Sequence, residues 1–287
     1  MQINPINKYL NSREYKLILK KDLFKDKFDG IEKVKSIITS QVENQGGTFN
    51  AVNPEFKLKK VWYLDTENHE LYKNKNNGLL IRVKENQEKQ GYKVEIKVRK
   101  PNRNDAASYD LLHPEKSEKY EFKDEKYKFE EDIKTPSDSV FSVSSVFEYK
   151  QELYLNSYND ILSIYPSLSL DVSDKQAKLV KVNNFEVEEF NPDLGEIIFA
   201  NGNSAQIQLS IWYLPNKSDM PCIVEFDIDV KAEDEPADKN ESNFEEFPQN
   251  KVGQIDKLYK KLQEESVGIA NLKPPKTKTE YVYDYTK

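Results

Sequence analysis

Along residues 92–100 of this 287-residue chain, Lys93, Glu95, Lys97 and Arg99 alternate with Tyr92, Val94, Ile96 and Val98. Side chains of an extended strand leave its two faces with period two, so the charges share one face and the apolar groups the other. The same parity sets Glu225, Asp227 and Asp229 opposite Val224, Phe226, Ile228 and Val230, and Arg82 and Lys84 opposite Ile81 and Val83. Neighbouring acids in such a row, about 7 Å apart, repel by roughly 2 kcal/mol at an effective dielectric near 20. The row is comfortable where it faces lysines and arginines of other strands, or a metal ion; an ordinary amphipathic sheet with its charged side wet gives the same parity.

Other chemistries are poorly provided for. Cys222 is the only cysteine, which rules out an intrachain disulfide and a cysteine zinc cluster. The two histidines, His69 and His113, stand in polar, loop-like stretches, so a serine–histidine–aspartate triad and a multi-histidine metal site are not expected. Carboxylates, lysines, arginines and tyrosines must carry whatever reaction there is. The formal charge of −7 argues against a general nucleic-acid or membrane binder, yet leaves room for a local basic channel among 43 Lys and Arg. Residues 1–16 lack the apolar core of a signal peptide and no 18-residue apolar run occurs, so the cytoplasm is the expected compartment.

The elements that would position these charges are mostly strands. The hydrophobic class is lean at 37%, but 17 Tyr, 14 Phe and 2 Trp supply large buried areas and favour strands. Strand patterns run over residues 14–20, 56–64, 78–84, 92–100, 116–123, 167–172, 177–182, 185–189, 196–200, 205–214 and 222–231. Helical spacing predicts helices at 30–43, stopped by Gly46 and Gly47, at 152–164, halted by Pro166, and at 252–262. Turn signals stand at Asn76-Asn77-Gly78 and in the polar loop 86–91; residues 132–138 read as a surface excursion and 232–248 as a solvated loop. The expected organisation is one α+β, strand-rich domain over 1–265 and a C-terminal tail, 266–287, whose Pro-Pro and Lys/Thr-rich part from Leu272 is read either as disordered or as packing back through Tyr281, Tyr283 and Tyr285. Trp62 and Trp212 are expected in the core.

The stretch Val61-Trp62-Tyr63-Leu64-Asp65-Thr66, then Gly78-Leu79-Leu80-Ile81-Arg82-Val83-Lys84, then Tyr92-Lys93-Val94-Glu95-Ile96-Lys97 resembles the CYTH, or triphosphate tunnel, family. That family has, in this order, a Y-x-D-T strand end, a G-x-x-L-R-x-R strand and a strand with an inward lysine. Glu225-Phe226-Asp227 is similar to its late E-x-E, and Lys119-Tyr120-Glu121 to its R-x-E. The resemblance spans roughly residues 12–231. It implies an eight-stranded antiparallel tunnel-like β-barrel with flanking helices outside and charges inside. It further implies a phosphohydrolase acting on inorganic, thiamine or nucleoside triphosphate. Lys16, Arg82, Lys84, Lys93, Lys97, Arg99 and Lys178 would bind substrate, with Lys175 nearby, and Glu14, Glu225 and Asp227 would be catalytic, holding Mg2+ or Mn2+. Phosphate oxygens accept from lysine and bidentately from arginine, and hard cations prefer carboxylates.

The first strand departs from the family's E-x-E-x-K: Glu14 is kept, Lys16 replaces the second acid and Ile18 the lysine. Gln206 and Gln208 stand where an acid is often found. A cation at position 16 repels a metal and assists an anion. Two further readings therefore stay open: a tunnel that binds a triphosphate or polyphosphate without turnover, and cyclisation of ATP.

Overall fold

The computed structural model describes residues 9–286 apart from 56, 75–76, 87–90, 169, 216–218, 234–244 and 272–276. Among the described residues the strands are β1 (Ser12–Ile18), β2 (Gly47–Ala51), β3 (Leu58–Thr66), β4 (Leu79–Asn86), β5 (Tyr92–Lys100), β6 (Glu121–Lys134), β7 (Asp138–Tyr149), β8 (Leu179–Lys181), β9 (Val187–Phe190), β10 (Asp193–Phe199), β11 (Ser204–Tyr213) and β12 (Ile223–Lys231). The helices are α1 (Lys27–Glu43), α2 (Arg103–Ala107), α3 (Tyr158–Ile164), α4 (Gln249–Leu262) and α5 (Lys278–Tyr283).

Nine strands close on themselves in the order β12, β1, β6, β7, β5, β4, β3, β9, β11 and back to β12. Closure leaves no free edge in the ring. β1 runs parallel to β6 and every other pair in the ring is antiparallel. The tunnel of eight antiparallel strands is thus corrected to a mixed ring of nine. β10 and β2 extend the sheet outward from β11. Gly195 makes that extension possible: its φ is +125°, and a Cβ there would lie 2.1 Å from the Asn50 carbonyl oxygen.

The barrel is inside out relative to a globular core. Tyr15 and Leu17 of β1, Leu209 and Ile211 of β11 and Val224, Phe226 and Ile228 of β12 point outward, where α1 and α4 cover them through Ile31, Val34, Ile38, Val252, Ile255 and Leu258. On the far side, Ile81, Val83, Val94, Ile96, Val143 and Phe147 pack under α2 and α3. α1 starts where Asp26 accepts from the Phe28 and Asp29 amides, and α5 starts with a capping box between Thr277 and Glu280. A third cluster gathers Ile18, Tyr63, Leu80 and Trp212 with Val282 and Tyr283 of α5. There the C-terminal segment closes one end of the barrel, so the tail packs back through Tyr283.

Several expectations need correction. Residues 116–120 are not strand; β6 begins at Glu121 and runs to Lys134, through part of the supposed excursion at 132–138. β7 has no counterpart in the sequence reading. Its run of Val, Ser and Phe is buried on both faces, which erases the alternation a half-wet strand shows. The helix over 152–164 is confined to α3, capped at Ser157, and the described residues of 167–172 carry no strand. The loop readings at 75–76, 87–90 and 234–244 lie outside the described residues.

Candidate functional site

Because the apolar faces turn outward, the polar and charged faces of β1, β4, β5, β6, β9, β11 and β12 surround an internal cavity of about 600 Å3. Ten basic and nine acidic side chains stand among its described lining residues. Of the residues singled out in the sequence, Glu14, Lys16, Arg82, Lys84, Lys93, Lys97, Arg99, Glu225 and Asp227 all line it. Lys178 does not: it is exposed, in an isolated bridge to Ser157, as Lys175 is exposed beside it. Lys119 and Glu121 are also exposed. Lys128 and Glu130, further along the chain in β6, are a lysine–x–glutamate pair that does face the cavity.

The basic wall is held by acids one strand away. Arg82 on β4 meets Glu95 of β5 at 2.5 Å, and Lys84 is bound to Glu189 of β9. Glu189 also accepts from Ser210 Oγ and Trp212 Nε1, each at 3.0 Å, so three partners fix the group that fixes Lys84. Lys97 meets Glu130 at 3.1 Å and Arg99 meets Asp132 at 3.2 Å. The short register steps between β5, β7 and β6 deliver both contacts: Arg99 opposes Ser142, which opposes Glu130. Burial pushes Glu95 up, but Arg82 and Lys97 outweigh it and hold the carboxyl at about 2. Glu189 and Asp132 are likewise held below the ordinary carboxylate range against their burial, by Lys84 and Lys278 for the first and Lys16 and Lys97 for the second.

The parallel pairing of β1 with β6 sets Glu14 beside Asp132. Glu14, Glu130 and Asp132 bring carboxylate oxygens within 4.8 Å of one another, close enough to hold an ion. Cations of the chain already serve this group: Lys16 lies 2.6 Å from Glu14 and 2.7 Å from Asp132, and Lys128 lies 2.7 Å from Glu130 and 3.2 Å from Glu14. On β12, Glu225 is taken by Lys278 of α5 at 2.7 Å. Asp227 lies between Lys16 of β1 and Gln208 of β11 in the sheet register. Its buried Oδ1 has no hydrogen-bond partner among the described residues, nor has Oδ1 of Asp229. Burial, then Glu225, raise the Asp227 carboxyl to about 8. Across the cavity Nε of Arg82 and Nε of Arg99 are buried donors without an acceptor among the described residues. Lys134, half-buried near Arg99, is pushed down to about 8 by desolvation and by that neighbouring charge.

Sequence reasoning missed Glu130, Asp132, Glu189, Lys128, Lys134 and Lys278. The first two had a signal, since Lys128, Glu130, Asp132 and Lys134 alternate. It was masked by Glu131, an outward acid on a face that should read apolar, which pairs there with Arg13 at 2.7 Å. β9 is four residues long, too short for parity to speak, and Lys278 arrives from the tail with no local pattern.

The fold is therefore a closed barrel with its charges inside, the architecture that the sequence resemblance implied. No protein-family model and no curated protein matches the chain. Among solved structures it is similar to a candidate adenylyl cyclase from Hippeastrum described as having a dominant triphosphatase activity, at 11% identity and a TM-score of 0.45, over 94% of this chain and 93% of that one. No described helix is long and apolar enough to cross a membrane.

Proposed function

We propose that the cavity binds a triphosphate-bearing small molecule and hydrolyses a phosphoanhydride bond with the help of a divalent cation. One observation carries this reading: among the described residues the cavity buries unsatisfied donors on one wall, at Arg82 and Arg99, and unsatisfied acceptors on the other, at Asp227 and Asp229. A buried polar atom without a partner is costly, so each wall is complementary to a missing charge, anionic at the first and cationic at the second. The donors on the acidic wall are all carboxylate oxygens, which suits Mg2+ or Mn2+. Asp227 and Asp229, with Glu14 beside them in the register, would hold the ion, joined by Glu225 where Lys278 yields. When bound, such an ion neutralises charge developing on the phosphoryl group. Arg82, Lys97 and Arg99 clamp the phosphate oxygens, and Lys16 stabilises charge from the β1 side. Glu95, Glu130 and Asp132 keep these cations extended into the cavity before the ligand arrives, so little side-chain reorganisation is left to binding.

Purified protein is expected to release phosphate from tripolyphosphate with Mg2+ or Mn2+, and a chelator to abolish release. Arg82→Ala should lower kcat/KM by about 10- to 100-fold, the worth of a charge-assisted contact. Absence of turnover with either metal across inorganic, thiamine and nucleoside triphosphates would overturn the hydrolytic reading.

A second reading is favoured by Lys16, whose ammonium sits between Glu14 and Asp132. A tethered cation in that place supports triphosphate binding without turnover. It predicts affinity that is indifferent to chelator and falls in Arg82→Ala.

A further inference from the structure

The inner clamp leaves part of the basic lining unexplained. Lys84 and Lys93 are directly opposed on β4 and β5 with both side chains turned into the cavity. Like charges in that position destabilise a sheet pair unless something anionic lies between or beside them. Glu189 holds Lys84 from the β9 side, but Lys93 has no ion pair among the described residues. Glu148, its neighbour on β7, instead reaches Lys123 and Lys126, each at 3.8 Å. A third cation is brought to the same end by an irregularity in β6. Between Lys123 and Lys128 that strand advances five residues while β7 advances two, and the bulge carries Lys126 to the cavity wall. Bulges re-aim side chains in this way. Lys126 is 40% exposed where Lys97 is 11%, so Lys126 marks the more open end of the cavity.

We propose that Lys84, Lys93 and Lys126 form an outer anion subsite at the cavity mouth, which takes one more phosphate group of a linear phosphate chain than the inner clamp holds. The subsite rests on the reading of the inner cavity as a triphosphate site. Burial, then Lys126, lower the Lys93 ammonium in the unliganded protein, as expected of a cation awaiting its counter-charge. Chain rather than nucleoside follows from the lining. Tyr63 is the one aromatic side chain among its described residues, and it is engaged with Trp212, 6.4 Å between ring centroids, in the apolar cluster at the closed end. Among the described residues the mouth therefore presents ammonium groups and no flat surface on which a base would stack.

The test is a thermal-shift titration with tripolyphosphate and with tetrapolyphosphate, each with Mg2+ and with chelator, on wild type, Lys126→Gln and the Lys93→Gln/Lys126→Gln double variant. Wild type should reach half-maximal shift at about fivefold lower tetrapolyphosphate than tripolyphosphate, the yield of one partly screened ion contact. That ratio should shrink in Lys126→Gln, whose exposed side chain is no threat to folding, and approach unity in the double variant. Equal midpoints in wild type, or a ratio that survives both substitutions, would overturn the outer subsite while leaving the inner site standing. No shift with either chain in any condition would overturn the triphosphate reading, and the subsite with it.

Discussion

Asp227 is an acid that its own barrel keeps from ionising: desolvated, beside Glu225, and with a buried Oδ1 that has no hydrogen bond among the described residues. Its carboxyl titrates near 8 in the folded protein and near 3.9 in an unfolded chain. Between those values the folded state holds a proton that the unfolded state has released, so this group's contribution falls as pH rises, and levels off above 8. Asp227→Asn removes that loss. It should raise the melting temperature of the metal-free protein more at pH 8.5 than at pH 5, both measured by calorimetry (one pH near the foot of the ~4–8 window and one above its top). An equal effect at both would show that Asp227 titrates normally. The same proton competes with a divalent cation, so metal affinity should increase from pH 6 toward 9, roughly the range spanning the raised titration.

At the scale of elements, α5 is the piece whose role its length conceals. Six residues are too few to be stable as a free helix, so packing must hold it. Tyr283 supplies that packing: it is buried, stacks near Tyr72 at 4.3 Å and donates to Asp65 Oδ2 at 2.8 Å. Asp65 in turn accepts from the Thr66, Leu71 and Tyr72 amides, which joins the end of β3 to the C-terminus. Through α5 these contacts also place Lys278 on Glu225. Tyr283→Ala should cost about 3–5 kcal/mol of stability, as large-to-small changes at buried aromatics do. Tyr283→Phe keeps the ring, loses one hydrogen bond to a buried acid and should cost about 1–3 kcal/mol, read from denaturant midpoints. If the two variants were equally stable, the anchor would lie elsewhere.

For the molecule as a whole, the basic and acidic groups of the cavity nearly balance, so the excess acid that makes the chain −7 lies outside it. A ligand that enters finds paired charges and exchanges partners with them, rather than meeting a bare positive field. Binding to the folded state alone should then stabilise it by mass action. Tripolyphosphate at about 100 times its dissociation constant is worth about 2.7 kcal/mol. For a chain of this size that corresponds to a rise of about 4–5 °C in Tm. Added salt should shrink the rise, since the mouth is screened. A Tm indifferent to phosphate chains would mean that the ion pairs of the cavity are structural. How far the sequence reaches is visible in particular strands. Parity on β4, β5 and β12 placed Arg82, Lys97, Glu225 and Asp227 together on single faces, because alternation is a local property of extended backbone. Whether those faces look into a tunnel or into water depends on which strands pair and on closure of the ring. β7, the β6 bulge and Lys278 of α5 enter only through contacts between residues distant in the chain, which no local pattern encodes.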